Sequence, residues 1–279
     1  MARRAGHNNS DSCFFVRFRL IRPVNLFTLS LGAALAGCEQ PSIAWNDPVT
    51  IAAPAGPARL SVTAAGDARW ITDSVLATPV GNACPGSLRW ARDENSVYAA
   101  WWVPRADSTA WLYAAASANG GATWNPGAAV DTTDAGDRGC NRPAPSVAAS
   151  GADVHVAYSM RSAEGTGVFL AHSMDRGAMF HSPIPVSYGD RIVDVAVAAE
   201  GATVAVAYEE PSGAPGAISL AVSRTQGHTI EIHTRASRTV DRARSPSVAI
   251  AGHSIAVVWR PLEATDVVAT TARVGTIKP

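Results

Sequence analysis

One pattern limits what this chain can fold into: a short apolar run with an aromatic end, repeated four times. The copies are Val97-Tyr98-Ala99-Ala100-Trp101, Val154-His155-Val156-Ala157-Tyr158, Val204-Ala205-Val206-Ala207-Tyr208 and Ile255-Ala256-Val257-Val258-Trp259. Short runs of β-branched and aromatic residues, flanked by turn formers, read as buried strands. The terminal aromatics Trp101, Tyr158, Tyr208 and Trp259 recur at spacings of 57, 50 and 51 residues. A second apolar run follows each: Trp111–Ala116, Val168–Ala171, Ile218–Val222 and Val267–Thr271. Helical periodicity is absent, and Gly, Pro, Ser and Ala fill the gaps. A period near fifty residues with about four strands in each predicts an all-β propeller of about four to five four-stranded blades.

Three of the second runs end in a Ser and a Gly-bearing turn. The first turn has Ser117, Asn119, Gly121, Thr123 and Trp124; the second Ser173, Asp175, Gly177 and Phe180; the third Ser223, Gly227 and Thr229. An Asp or Asn side chain can bond nearby backbone N–H groups, Gly accepts positive φ, and the aromatic can pack beneath the turn. The turns resemble the Asp-box, Ser-x-Asp-x-Gly-x-Thr-Trp, of the sialidase-like (BNR-repeat) β-propellers. The resemblance implies a fold. It does not imply an activity, because Asp-boxes occur in enzymes and non-enzymes and lie on the face away from the family's active site.

The beginning of the propeller completes the pattern. Trp45-Asn46-Asp47-Pro48-Val49-Thr50-Ile51 resembles Trp124-Asn125-Pro126-Gly127-Ala128-Ala129-Val130, the outer strand after the first Asp-box. Little chain follows Arg273 to supply an outer strand for the last repeat. Residues 45–52 are therefore expected beside the third strand of that repeat, closing the ring and covering a sheet edge. Arg59–Val62, the Gly66-Asp67 turn and Arg69–Ile71 read as the first two strands of a further blade whose second half does not follow.

Residues 1–37 read as a targeting segment. Arg3, Arg4, Arg17, Arg19 and Arg22 form a basic region, and Val24–Ala36 is uncharged and mostly apolar. Leu35-Ala36-Gly37-Cys38 resembles the bacterial lipobox, which implies acylation of Cys38. An ordinary secretory signal or a buried apolar helix is the alternative. The expected organisation is a signal peptide over 1–37, a tether over 38–44 and one propeller domain over 45–279. The expected location is the bacterial cell envelope, lipid-anchored, with the outer membrane favoured over the inner because Glu39 follows the Cys. Without residues 1–37 the chain keeps 18 basic and 22 acidic residues, a net charge of about −4, which gives no reason to expect a nucleic-acid partner. Cys84 and Cys140 each precede the first strand of a repeat, and export makes a disulfide between them a natural expectation.

Family topology sorts the polar residues by face. Loops between blades, and between strands two and three of a blade, belong to the upper face. The first class repeats a dipeptide: Asp137-Arg138, Asp190-Arg191 and Asp241-Arg242. The second carries Arg105 and Asp107, Arg161 and Glu164, Glu209 and Glu210, and Arg260 and Glu263. Arg forks gathered at one mouth suit a carboxylated or hydroxyl-rich ligand. Alternatively each Asp-Arg pair caps a strand and pairs with a neighbour. The sialidase resemblance further implies an Arg triad, a Tyr–Glu nucleophile pair and an Asp acid/base. The family's Arg-Ile-Pro signature is not present; Arg142 and Pro143 are adjacent, and Tyr188 is the tyrosine nearest Asp190 and Arg191 in sequence. The histidines show no zinc spacing, His228 and His233 being at best a weak pair, so neither metal nor cofactor is expected. The expected function is a non-catalytic propeller that binds a glycan or an envelope protein on its upper face. The other reading is an exo-glycosidase of sialidase type with a diverged site.

Overall fold

The computed structural model describes residues 42–73, 82–264 and 269–278. The expected signal peptide and Cys38 lie outside the described residues. Two short strands come first, β1 (Ile43–Trp45) and β2 (Val49–Ala52), then a two-stranded sheet of β3 (Ala58–Val62) and β4 (Ala68–Thr72). Blade one is β5 (Arg89–Asp93), β6 (Ser96–Pro104), β7 (Ala110–Ser117) and β8 (Ala128–Asp131). Blade two is β9 (Ser146–Ser150), β10 (Asp153–Ser162), β11 (Gly165–Ser173) and β12 (Ile184–Gly189). Blade three is β13 (Val195–Glu200), β14 (Thr203–Glu209), β15 (Ile218–Ser223) and β16 (Ile232–Arg235). Blade four is β17 (Ala243–Ala251), β18 (Ser254–Pro261) and β19 (Ala269–Ile277). In blades one to three all pairings are antiparallel between sequence neighbours. The inner strands β3, β5, β9, β13 and β17 of all five sheets line one central cavity of about 630 Å³. Four full sheets and a half-sheet around one axis make this a β-propeller.

The N-terminal strands belong to blade four. Val49–Ala52 pair antiparallel with Ala269–Ala272, and Ile43–Trp45 with Gly275–Ile277. The expected segment is therefore two strands rather than one, and it starts at Ile43, inside the stretch read as tether. Pro48 explains the split: it has no N–H to give to a ladder. Asn46 bridges the gap by donating its N–H to the Val274 carbonyl at 2.9 Å. The Arg273 guanidinium lies 5.2 Å from the Trp45 ring and bonds the Asn46 carbonyl.

The repeated runs are the second and third strands of each blade. They read as continuous apolar segments because blades cover both of their faces. Val204–Tyr208 and Ile218–Ser223 are buried throughout. Small side chains such as Ala157 and Ala221 at one seam and Ala207 at the next are fully buried between neighbouring sheets. Full burial of these side chains removes apolar surface from water at about 25 cal/mol per Å², the main stabilising term.

Polar straps join the blades on the lower face. The turn between the first two strands of a blade carries a left-handed Gly: Gly151 (φ 66°), Gly201 (φ 56°) and Gly252 (φ 58°). Each donates its N–H to a side chain ending the inner strand of the blade before: Asp93 (2.6 Å), Ser150 (2.9 Å) and Glu200 (2.6 Å).

The three Asp-box turns share one hydrogen-bond plan. The amides of Gly121, Gly177 and Gly227 donate to the hydroxyls of Ser117, Ser173 and Ser223, at 2.9, 2.9 and 3.0 Å. Asn119 and Asp175 accept both that Ser hydroxyl and a later amide, from Thr123 or Met179. In the third turn the Thr225 hydroxyl replaces the missing carboxylate and accepts the Thr229 N–H at 3.1 Å. Trp124 packs against the cluster of Trp101 and Ala99, and Phe180 against the cluster of Tyr98 and Val154.

Candidate binding site

Strand direction puts the charged loops at one end of the blades, opposite the Asp-boxes. The loop from β8 to β9 is held by buried polar groups. Asp134 Oδ2 accepts Arg142 Nη2 at 2.7 Å and the Ala110 N–H at 2.8 Å, while its Oδ1 accepts the Gly136 N–H. Both side chains of this ion pair are 1% exposed. Arg142 also bonds the Gly139 carbonyl at 2.6 Å and lies over the Trp102 ring. Asp131 accepts the Tyr158 hydroxyl and both donors of Thr133. The Cys84–Cys140 disulfide, with a Cα separation of 5.2 Å, ties the loop to the start of blade one. So anchored, the loop presents Asp137 and Arg138 to solvent.

The loop opening blade three faces it. The amides of Asp190 and Arg191 share the Pro211 carbonyl, and Arg191 Nη2 donates to the Glu210 carbonyl. Arg191 Nε is buried with no partner. Asp137, Arg138, Arg161, Thr166, Asp190 and Arg191 line one cavity of about 310 Å³ over the upper end of blade two. Five of the nine expected ligand residues thus meet in one place.

The other four do not join them. Arg105 lies over the Trp111 ring at 3.9 Å. Asp241 pairs with Arg238 at 3.0 Å, and Arg242 pairs with Glu263 at 3.1 Å across an exposed gap. Arg260 lines the central cavity instead. Tyr188 is exposed and its hydroxyl donates to Glu164 at 3.2 Å. None of the five tyrosines lines the central cavity.

A second polar constellation lies at the upper end of the central cavity. Ser245 donates its hydroxyl to Asp194 Oδ2 at 2.9 Å and its N–H to Glu209 Oε1 at 2.8 Å. Its backbone is left-handed, with φ 51°, at an irregularity in β17. Burial pushes the Glu209 carboxyl above its ordinary value, and nearby Asp194 adds to this; the Ser245 N–H and the guanidiniums of Arg191 and Arg244 oppose it. Asp194 and Ser245 hold equivalent positions, each just before the inner-strand residue Val195 or Pro246. That repeat is the one sequence signal that could have found them. Among the described residues no three His, Cys, Asp or Glu side chains converge as metal ligands would.

No family model matches the chain, and no curated protein matches it either. Solved structures show a loose likeness. A Hadza microbial sialidase, Hz136, is 14% identical, with a TM-score of 0.46 over 63% of this chain and 42% of that one. The K499G mutant of NanB sialidase from Streptococcus pneumoniae is 10% identical, with a TM-score of 0.46 over 75% of this chain and 34% of that one. A protein of unknown function from Dyadobacter fermentans is 16% identical, with a TM-score of 0.45 over 65% of this chain and 50% of that one. The chain spans half or less of the length of each of these three. The strand pairing and the shared central cavity establish the propeller independently of these likenesses.

Proposed function

We propose that the protein is an envelope-anchored propeller that binds a carboxylate-bearing or hydroxyl-rich glycan without cleaving it. The supporting observation is the cavity over the upper end of blade two, where Arg138, Arg161 and Arg191 meet Asp137 and Asp190. Guanidiniums bind carboxylates through paired, charge-assisted hydrogen bonds, and carboxylates accept sugar hydroxyls. A fixed loop lowers the ordering cost of binding. The lipobox-like Leu35–Cys38 supports the anchor. The test is binding of the soluble chain to a panel of acidic and neutral oligosaccharides, repeated with Arg138→Ala and Arg161→Ala. Removing charge-assisted bonds should weaken binding of the acidic glycan about tenfold or more. Unchanged affinity in both variants overturns the reading.

One observation favours a hydrolase instead. Glu209, with its carboxyl pushed up beside Asp194, is the kind of group that can hold a proton for a leaving oxygen. Turnover of a fluorogenic sialoside or another aryl glycoside, lost in Glu209→Gln, would establish this second reading over the first.

A further inference from the structure

The seam between blades two and three carries, at its lower end, a group of imidazoles that the binding reading does not use. His155 on β10 and His172 on β11 are cross-strand partners, and the His181 N–H donates to the His172 carbonyl at 2.9 Å. Three imidazoles therefore form a row across blade two. His228, from the third Asp-box turn, meets that row from blade three. Ring centroids lie 4.6 Å apart for His172 and His181, 4.4 Å for His172 and His228, and 6.5 Å for His155 and His172.

The row runs from solvent inward. His181 and His228 are exposed, His172 is 4% exposed and His155 is fully buried. Neither ring nitrogen of His155 or His172 has a hydrogen-bond partner. The third turn rests on this row: a Cβ on Gly227 would sit 3.3 Å from His155 Nδ1. His228 is fastened to its own turn by Nδ1, 2.6 Å from the Thr225 carbonyl. The ring neighbours of His228 are His172 and His181, brought to it by blade packing. The matching positions in blade one are Tyr98, Ala116 and Asn125, and in blade three Ala205, Val222 and Glu231. The imidazoles belong to one seam only.

Little negative charge offsets them. Asp153 acts on His172, and its carboxylate accepts Gln226 Nε2 at 3.1 Å. In the turn of blade two, Asp175 is occupied by Ser173 and Met179, beside Arg176. In that of blade three, Glu231 is occupied by the Arg224 N–H and the Thr229 hydroxyl. Neutral imidazoles stack without charge repulsion, although their unpaired buried nitrogens cost something, whereas imidazoliums in contact repel strongly where water is excluded.

We propose that the imidazole stack is an acid-sensitive latch: neutral, it seats the third Asp-box turn on blade two, and protonation releases that turn. This inference is independent of any ligand at the upper mouth. Burial, then the neighbouring imidazoles, holds His155 down to about 4, and the same causes hold His172 below its ordinary value. A base with a depressed pKa is neutral in the latched state and binds its proton more readily once released. The latch is therefore fully set above the ordinary value of 6.5, weakens as pH falls through it, and stops weakening near 4. At pH 5, His155 alone disfavours the latched state by about thirtyfold.

Hydrogen exchange tests this. The Gly227 amide, bonded to Ser223, reports the latch, and the Gly121 amide, bonded to Ser117 in blade one, is the internal control. Between about pH 7.5 and about pH 5, protection at Gly227 should fall about thirtyfold after correction for intrinsic exchange, and at Gly121 by less than about twofold. His155→Tyr with His172→Ala, which copies Tyr98 and Ala116 of blade one, should abolish the difference. Equal changes at the two glycines, or an undiminished difference in the double variant, overturn the latch. If the double variant does not fold, the wild-type comparison decides alone, and His155 and His172 titrating near 6.5 with Gly227 still protected overturns it too.

Discussion

Replacing Asp134 with Asn should cost more than any single change on the upper surface. The substitution keeps shape and one acceptor oxygen but removes the charge that Arg142 faces at 2.7 Å. Both partners are 1% exposed, so water cannot take over the guanidinium. Breaking a buried pair on one side costs about 3–5 kcal/mol, most of it from the charge left behind. For a domain of this size each kcal/mol lowers the melting point by about 2–4 °C, so the expected shift is about 10 °C. Converting both partners, as in Asp134→Leu with Arg142→Met, should recover much of the loss, because it leaves no orphaned charge. Thermal melts by circular dichroism measure both variants. The loop that Asp134 fixes also carries Asp137 and Arg138, so glycan binding should weaken in Asp134→Asn even below its melting point. If Asp134→Asn melts within about 2 °C of the parent, the ion pair is not the anchor inferred here.

Three further outcomes follow from the same structure. Opening the Cys84–Cys140 bridge, which closes a separation of 56 residues, should cost about 4 kcal/mol; two separately alkylatable thiols in a non-reduced digest would refute the bridge. Cys38→Ser should abolish incorporation of a fatty-acid probe in a bacterium that processes lipoproteins, and unchanged labelling would sink the anchor. Deleting residues 39–52 removes β1 and β2, Trp45 with them, and bares the edge of β19, at a cost of several kcal/mol. Deleting Lys278 and Pro279 costs at most the bond from the Lys278 N–H to the Ser42 carbonyl, about 1 kcal/mol, so equal melting points for the two truncations would show that the N-terminal strands do not hold the ring.

Much of the fold was legible because it is written locally. Val204–Tyr208 announces a strand by its own composition, and Ser173–Phe180 announces a turn by hydrogen-bonding groups within eight residues. The N-terminal strands were legible by analogy, through Trp45-Asn46-Asp47-Pro48, although the interruption at Pro48 was not read from it. The third turn was under-read, because Thr225 supplies an acceptor that a search for Asp passes over. The upper mouth was legible by class of loop, not by residue. Asp137-Arg138, Asp190-Arg191 and Asp241-Arg242 look alike in sequence, yet Arg238 and Glu263 lie in reach of the third pair and engage it. Contacts across a blade seam left almost no trace. His228 meets His172 and His181 only because one sheet stacks on the next. Arg142, next to Pro143 but outside any Arg-Ile-Pro signature, gave no sign in sequence that its guanidinium is buried on Asp134 and holds a loop.

The charge of the ligand gives the most direct test of the binding site. Calorimetric titration would compare a sialylated oligosaccharide with its methyl ester, which keeps every hydroxyl and loses only the carboxylate. If Arg138, Arg161 and Arg191 form the recognition surface, the acid should bind about tenfold or more tightly than the ester. That preference should vanish in Arg161→Ala, and the recovered oligosaccharide should be intact. Equal affinity for acid and ester, or release of free sugar during the titration, would contradict a carboxylate-binding, non-cleaving mouth.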